Sequence, residues 1–214
     1  VIGNTNIRTV VAIDGTGSMG WVIAQVVQVV KETFIKTYEI LKAKKHSVLV
    51  EMAVVIYRNY NKDSSSIIQS TPFESDHTKL FEFLSRVESS GGWGREAVEV
   101  CFQALNKMEG LSQVFLIGDA AGNTDAEVKT KRSHKGEDYW KMHDFPLTTQ
   151  GEELQKLKEK GVVIHTFYLG KAQQNFRKIS EQTGGDSIKF PNGRRDASDI
   201  LSNAMAKNTM KICD

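Results

Sequence analysis

Three oxygen-bearing side chains alternate along a glycine-rich stretch near the start of the chain. Asp14, Thr16 and Ser18 are separated by Gly15 and Gly17. Alternation turns the three side chains toward one point, and the glycines permit a tight backbone. Carboxylate and hydroxyl oxygens are ligands that hard cations prefer, so Mg²⁺ fits and Mn²⁺ fits as well. The stretch predicts a divalent-cation site, and the alternative is a plain turn in which Asp14 and Ser18 cap the next helix.

A second acid stands at the end of another apolar run. Asp119 follows the run 113–117 and Gly118, much as Asp14 follows the run 8–13. Continuous apolar runs are typical of parallel strands that are covered by helices on both faces. Because the carboxyl ends of parallel strands meet at one edge, we expect Asp119 beside Asp14, where it supplies a second charge directly or through water.

The elements that must position these side chains alternate between strand and helix. Apolar runs predict strands at residues 8–14, 48–57, 67–69, 113–117, 162–169 and 187–190. Helical periodicity predicts helices at about residues 21–44, 77–87, 96–108, 151–160, 173–183 and 197–211. This alternation predicts an α/β fold, doubly wound, with a mostly parallel central sheet and helices on both faces. We expect one domain that spans residues 1–214.

Composition narrows the class of protein. The chain has 214 residues, of which 40% are hydrophobic and 25% charged, with a net charge of +2. This is enough for one buried core, and the balanced charge gives no strong signal for nucleic acid. No run of 18 apolar residues is present, so no membrane span is predicted. The most basic stretch, residues 129–135, is interpreted as a solvated loop.

The cysteines and the first residue bear on the cellular setting. Cys101 lies in an apolar helical pattern and Cys213 is next to last, so we expect no structural disulfide. Two thiols in a domain of this size suit a reducing compartment, and we expect a soluble, cytoplasmic protein. The chain starts at Val1 without methionine, from which we expect it to be part of a longer protein.

The segment from Ile13 to Gly20 resembles a known signature. It is similar to the Asp-x-Ser/Thr-x-Ser pattern of the metal-ion-dependent adhesion site in von Willebrand factor A domains, which have a Rossmann-like fold. Its Thr-Gly-Ser-Met-Gly form resembles the branch associated with α-kinases. Further segments resemble that branch in the same order, namely residues 54–60, 73–76, 91–98, 115–120 and 176–185. The resemblance covers most of the chain, from about Arg8 to Phe190.

The resemblance implies a role for each matching residue. Thr16 and Ser18 would coordinate a cation through their hydroxyls, Asp14 would do so directly or through water, and Asp119 would hold the outer shell. An open coordination position would then accept an acidic side chain from a partner protein. The implied function is a protein-binding module with Mg²⁺ or Mn²⁺, and not an enzyme.

The sequence departs from the family pattern at one ligand position. Trp93 and Gly94 stand where the branch often has Asp and the wider family has Thr. Neither ligates a hard cation, and Ser89 or Ser90 is the candidate substitute. Asn59 also replaces an Asp of the branch, which removes a nearby negative charge. The site is therefore weak, completed by a partner, or empty.

Two residues at the same edge are candidates for partner contact. Trp93, in a glycine-flanked loop, is either an exposed contact anchor or buried filler. Arg58 ends a strand, where it either steers an acidic partner or pairs with Asp76 or Glu74.

The segment 120–147 is polar, and this composition predicts a long loop. Its histidine and aspartate spacings match no compact zinc-ligand set, so we interpret it as a lid packed by Tyr139, Trp140 and Phe145.

Two other functions compete with the binding module. The run Ile13 to Thr16 resembles the second half of the haloacid dehalogenase phosphatase motif. Its nucleophile would fall at Ala12, and alanine cannot form an acyl-phosphate, which disfavours this enzyme. The other alternative is a structural subunit in which the metal site is degenerate.

Overall fold

The computed structural model describes residues 5–43, 48–190 and 194–213. The strands of this part are β1 (Thr5–Asp14), β2 (Val48–Tyr57), β3 (Ile68–Ser70), β4 (Leu111–Gly118), β5 (Val163–Tyr168) and β6 (Ser187–Lys189). The α-helices are α1 (Gly20–Ala43), α2 (His77–Ser85), α3 (Val98–Asn106), α4 (Asp125–Ser133), α5 (Glu137–Met142), α6 (Gln150–Glu159), α7 (Gln173–Thr183) and α8 (Arg194–Cys213).

The strands form one sheet in the order β3-β2-β1-β4-β5-β6. All neighbouring pairs are parallel except β2 with β3. β1 lies between β2 and β4, so the direction of winding changes beside it and the switch point lies between β1 and β4. Asp14 ends β1 and Asp119 directly follows β4, which places both acids at the switch point. The predicted doubly wound α/β fold is confirmed.

Helices cover both faces of the sheet because consecutive strand residues point in opposite directions. In β1, Val11 and Ile13 pack into the cluster beneath α1, α2 and α8, with Val26, Leu80 and Met205. Val10 and Ala12 pack into the opposite cluster beneath α3, α6 and α7, with Phe102, Leu157 and Phe176. All of these side chains are buried, so the central strand is apolar on both faces.

The segment 120–147 is not a structureless loop, because it contains α4 and α5. A capping box between Thr124 and Glu127 starts α4, and this local signal compensates for the polar composition of the helix. The predicted packing among Tyr139, Trp140 and Phe145 is present, with ring centroids of Tyr139 and Trp140 5.0 Å apart. Trp140 is fully buried, and its ring centroid lies 5.1 Å from that of Tyr60 and 6.1 Å from that of Phe145.

The basic stretch 129–135 is not a solvated loop as expected. Lys131 and Arg132 lie in α4 and are 8% and 1% exposed. Arg132 donates two hydrogen bonds of 2.7 Å to the carboxylate of Glu137 and one of 2.8 Å to the carbonyl oxygen of Phe145. The guanidinium therefore connects α4 to α5. Its planar group of N–H donors forms two parallel hydrogen bonds with the one carboxylate of Glu137.

Two other expectations concern the thiols and the membrane. Cys101 is a buried free thiol, whereas the side chain of Cys213 lies outside the described residues. No helix in the described part of the chain is long and apolar enough to cross a bilayer.

Candidate functional site

The loop that follows β1 gathers the three predicted ligand side chains. Asp14 Oδ1 accepts hydrogen bonds from the Thr16 amide at 2.9 Å and from Thr16 Oγ1 at 2.6 Å. Thr16 Oγ1 lies 3.5 Å from Ser18 Oγ. Residues Gly17–Met19 form a 3-10 turn that leads into α1. Carboxylate and hydroxyl oxygens therefore converge at the carboxyl end of the central strand.

Only one of the two glycines in this loop is required by its surroundings. A Cβ on Gly15 would lie 2.4 Å from Cγ2 of buried Ile56, so a side chain there would collide with the core. A Cβ on Gly17 would have its nearest contact at 3.4 Å, with the carbonyl oxygen of Gly91. Gly15 thus permits close packing of the loop against β2.

One oxygen of the Asp14 carboxyl is buried without a partner. Asp14 is 0% exposed, and its Oδ2 accepts no hydrogen bond from a donor in residues 5–43, 48–190 or 194–213, although the acidic side chain of Asp119 lies beside this carboxyl group. Burial raises the pKa of Asp14 to about 7, and the charge of Asp119 also raises it, whereas the hydrogen bonds from Thr16 lower it. A buried carboxylate of this kind is stable only when it is protonated or paired with a positive charge.

A cavity of about 740 Å³ opens beside the loop. It is lined by Thr16, Ser18 and Asp119, by the loop 91–96, and by residues 120, 121, 127, 170 and 171. Neither Ser89 nor Ser90, the candidate substitutes for the family's loop ligand, is among these lining residues of the described chain. Ser90 instead donates its backbone N–H to the carbonyl oxygen of Gly15 at 3.0 Å.

Glu96 also lines the cavity, and the sequence pattern does not single it out as a ligand. It is 3% exposed, and its Oε2 has no partner in the part of the chain that the structure describes. Its Oε1 lies 3.4 Å from the amide nitrogen of Trp93. Burial raises the pKa of Glu96 to about 8, and the charge of Asp14 adds to the shift. The sequence feature that could have identified Glu96 is an acidic residue between a glycine-rich loop and a helix, at the sheet edge where ligands are expected.

The phenol of Tyr57 lies beneath these acids. It is fully buried, and its hydroxyl has no hydrogen bond within the described chain. A Cβ on Gly118 would lie 2.8 Å from that hydroxyl and 3.4 Å from Cβ of Asp14. Burial raises the pKa of Tyr57 well above its usual value, and the charges of Asp14, Glu96 and Asp119 contribute. Three carboxyl groups therefore act on one buried hydroxyl.

Trp93 stands at the rim of the cavity and is 38% exposed. Its ring centroid lies 4.8 Å from that of His134, and the Lys131 ammonium lies 6.0 Å from the indole centroid. Of the two interpretations of Trp93, the structure agrees with an exposed side chain and not with one buried in the core.

Arg58 has neither of its expected roles. Its guanidinium donates four hydrogen bonds, to the carbonyl oxygens of Gly15, Ser66 and Glu88 and to Oε1 of Gln69. It is 3% exposed, so it offers almost no surface to a partner. Among the described contacts Glu74 pairs with Lys79 and not with Arg58. Arg58 therefore connects several loops from a buried position. It supplies the hydrogen-bond donors that buried backbone carbonyl oxygens at this edge require.

Asn59 likewise connects loops. It is 0% exposed, its Nδ2 donates to the carbonyl oxygen of Arg95, and its Oδ1 accepts from the Tyr60 amide at 2.9 Å. Within the described chain no three His, Cys, Asp or Glu side chains are grouped so as to hold a metal ion by themselves. A cation at this edge would therefore depend on the hydroxyls of Thr16 and Ser18 together with the carboxylates.

Comparisons with known proteins identify the fold. No family model and no curated protein sequence matches the chain. Solved structures that match are a von Willebrand factor type A protein from Catenulispora acidiphila (TM-score 0.60, 13% identity) and the conserved hypothetical protein BatB from Bacteroides thetaiotaomicron (0.56, 12%). A third is the pilus adhesin SpaC from Lactobacillus rhamnosus GG (0.63, 13%).

The extent of these matches differs. The alignments cover 95%, 95% and 98% of this chain, but 42%, 99% and 31% of the respective neighbours. The chain thus spans less than half the length of the first and third. At such identities the comparison shows the fold, which is that of a von Willebrand factor A domain.

Proposed function

We propose that this chain, which has the fold of a von Willebrand factor A domain, is a protein-binding module that engages its partner through a divalent cation. Mg²⁺ or Mn²⁺ would lie at the carboxyl edge of the sheet. The observation that supports this proposal most directly is the unpartnered, buried Oδ2 of Asp14.

The donor set fits a hard cation. Thr16 Oγ1 donates its proton to Asp14 Oδ1, which leaves its lone pairs available, and Ser18 Oγ lies 3.5 Å from it. Asp14, Thr16 and Ser18 would hold the ion, and Asp119, which lines the same cavity, would act on it through water. A bound cation would supply an electrophilic position for a carboxylate of the partner.

Protein binding is supported by the rim and by the fold. Trp93 is an exposed aromatic residue beside the cavity, and aromatic residues are enriched among those that dominate interface energies. One structural neighbour is a pilus adhesin. The proposal includes no catalytic step, since the position that a phosphatase nucleophile would occupy is Ala12, a buried alanine.

Thermal unfolding with increasing Mg²⁺ or Mn²⁺ tests the cation. We expect the Tm of the parent chain to rise with cation concentration, because a ligand that binds only the folded state stabilises it. Asp14→Ala should abolish the rise, whereas Asp138→Ala, a change at an exposed acid of α5, should retain it. An unchanged parent Tm at millimolar cation would instead support a structural module with a degenerate site.

Partner capture tests the module itself. The immobilised chain should retain a protein in the presence of Mg²⁺ and release it with a chelator, and Asp14→Ala should not retain it. Turnover of an aryl phosphate that disappears in Asp14→Ala would replace this proposal with the phosphatase.

A further inference from the structure

The loop 91–96 contributes two side chains to the cavity that the resemblance does not assign as cation ligands. Trp93 stands at the rim, and Glu96 also lines the cavity. The two are joined directly, since the Trp93 amide lies 3.4 Å from Glu96 Oε1. The loop also faces Asp14–Ser18, because the Gly17 amide donates to the carbonyl oxygen of Gly91 at 3.1 Å.

We infer that Glu96 is a ligand of the cation, contributed by the loop that carries Trp93, so that cation binding and the position of Trp93 are coupled. The inference rests on the proposed function. It assigns the missing loop ligand to an acid three residues beyond Trp93.

The position of Glu96 is fixed by its backbone. Its N–H donates to the carbonyl oxygen of Ala121 at 3.0 Å, and its own carbonyl oxygen accepts from the Asn123 amide at 2.9 Å. Both partners belong to the segment that follows Asp119. The main chain of Glu96 is thus attached to the strand end that carries the second acid, and only its side chain is left to respond to a ligand.

The carboxyl group of Glu96 is close to the Thr16 side of the cavity. A Cβ on Gly92 would lie 3.7 Å from Glu96 Oε1 and 3.7 Å from Cβ of Thr16. The remaining oxygen, Oε2, is buried without a partner, as is Oδ2 of Asp14. An unsatisfied carboxylate oxygen on a residue that lines the same cavity as Thr16, Ser18 and Asp119 is one that a bound cation would satisfy.

Lys131 is the nearest alternative source of positive charge. Its Nζ donates to the carbonyl oxygens of Trp93 at 3.0 Å and Arg95 at 2.8 Å, and to Oδ1 of Asn123 at 2.7 Å. All three acceptors are neutral, and none belongs to Glu96. The ammonium therefore holds the loop backbone, and its charge acts on the carboxylate of Glu96 without a hydrogen bond between the two.

The backbone of the loop permits the coupling. Gly91, Gly92 and Gly94 have φ angles of +81°, +123° and +84°, which side chains rarely allow. When Glu96 turns Oε1 or Oε2 toward a cation, the contact between Oε1 and the Trp93 amide changes. The indole is then displaced relative to His134, against which it packs.

Mn²⁺ binding, followed by the electron paramagnetic resonance signal of the free ion, tests the ligand. We expect Glu96→Gln to weaken Mn²⁺ binding by about tenfold or more, because carboxylate count sets the affinity of such sites. Glu99→Gln is the matched control, since Glu99 lies one turn further along, is fully buried and does not line the cavity. It should bind Mn²⁺ like the parent.

The outcomes separate this inference from the proposed function. A parent chain that binds no Mn²⁺ overturns both. A parent and a Glu96→Gln chain that bind equally overturn only the role of Glu96. Circular dichroism checks that each variant folds. Where Glu96→Gln does not fold, Glu96→Asp takes its place, since it keeps the charge but has a shorter side chain, and its Mn²⁺ binding is compared with that of the parent in the same way.

Tryptophan fluorescence tests the coupling. The difference in emission between the parent and Trp93→Phe reports Trp93, since Trp21 and Trp140 are common to both. Mg²⁺ should change this difference, and Glu96→Gln should abolish this Mg²⁺-dependent change. A Trp93 signal that stays constant while Mg²⁺ raises the Tm overturns the coupling.

Discussion

The Lys131 ammonium lies 3.0 Å from the carbonyl oxygen of Trp93, so helix α4 holds the loop at the rim of the cavity. The same ammonium donates to Arg95 and Asn123 and is 8% exposed. The segment 120–147 therefore supports the loop 91–96, which faces Asp14–Ser18 across the cavity.

Replacing Lys131 should release this loop. Lys131→Met keeps the apolar stem but removes the donor. Each hydrogen bond to a charged group contributes about 1.5–3 kcal/mol, and the cost of burying the ammonium offsets most of the sum. We expect a stability loss of about 2 kcal/mol in urea unfolding and stronger acrylamide quenching of Trp93. Lys129→Met, at an exposed lysine of the same helix, should change stability by less than about 0.5 kcal/mol. Equal behaviour of the two variants would contradict the supporting role of Lys131.

The fold could be predicted because its central strand is apolar on both faces. Val10 to Ile13 are all buried, and Asp14 and Asp119 both follow continuous apolar runs. The carboxyl ends of parallel strands meet at one edge, so the meeting of these acids followed from topology. Metal binding itself stays a prediction.

Other parts of the site depend on loop conformation and could not be predicted. The hydrogen bond from Lys131 to Trp93 spans 38 positions and that from Arg58 to Gly15 spans 43. No periodicity indicates which backbone carbonyl a long side chain reaches across such distances. The burial of Lys131 and Arg58 was therefore missed, and so was the position of Glu96 opposite Thr16.

Arg58 should contribute more to stability than an exposed arginine. Arg58→Ala removes the donor of the carbonyl oxygens of Ser66 and Glu88 and of the Gln69 amide oxygen, whereas the carbonyl oxygen of Gly15 keeps the Ser90 amide. We expect a loss of about 3 kcal/mol in urea unfolding. Arg177→Ala removes only an exposed pair with Glu181 on α7, for which about 0.5 kcal/mol or less is expected. A loss for Arg58→Ala no larger than that for Arg177→Ala would show that its hydrogen bonds are replaced by water.

Glu99 should make stability depend on pH. Burial raises its pKa to about 7, although a hydrogen bond from Asn123 and the charge of Lys131 lower it. Because the unfolded carboxyl ionises near its usual value of 4.5, the protonated folded form is favoured at low pH. This contribution is fully present below about pH 4.5 and is lost as the pH rises through about 7.

Glu99→Gln removes this titration while it keeps an oxygen that accepts from Asn123. In urea unfolding, its stability relative to the parent should improve from pH 4.5 to pH 8. Glu82→Gln, at an exposed position of α2, controls for the change to an amide. A constant difference between Glu99→Gln and the parent over this range would mean that Glu99 ionises alike in both states.

Asp14 should be destabilising without a cation and stabilising with one. Its folded pKa of about 7 lies above its usual value of 3.8, so the folded chain loses stability as the pH rises through about 7. Asp14→Asn keeps Oδ1 as acceptor for Thr16 and removes the charge beside Asp119 and Glu96. With a chelator at pH 8 we expect the Tm of Asp14→Asn to exceed that of the parent. Mg²⁺ should reverse this order, because it should raise only the Tm of the parent. A lower Tm for Asp14→Asn in chelator would indicate that Arg58, whose charge acts on Asp14, already compensates the carboxylate within the chain.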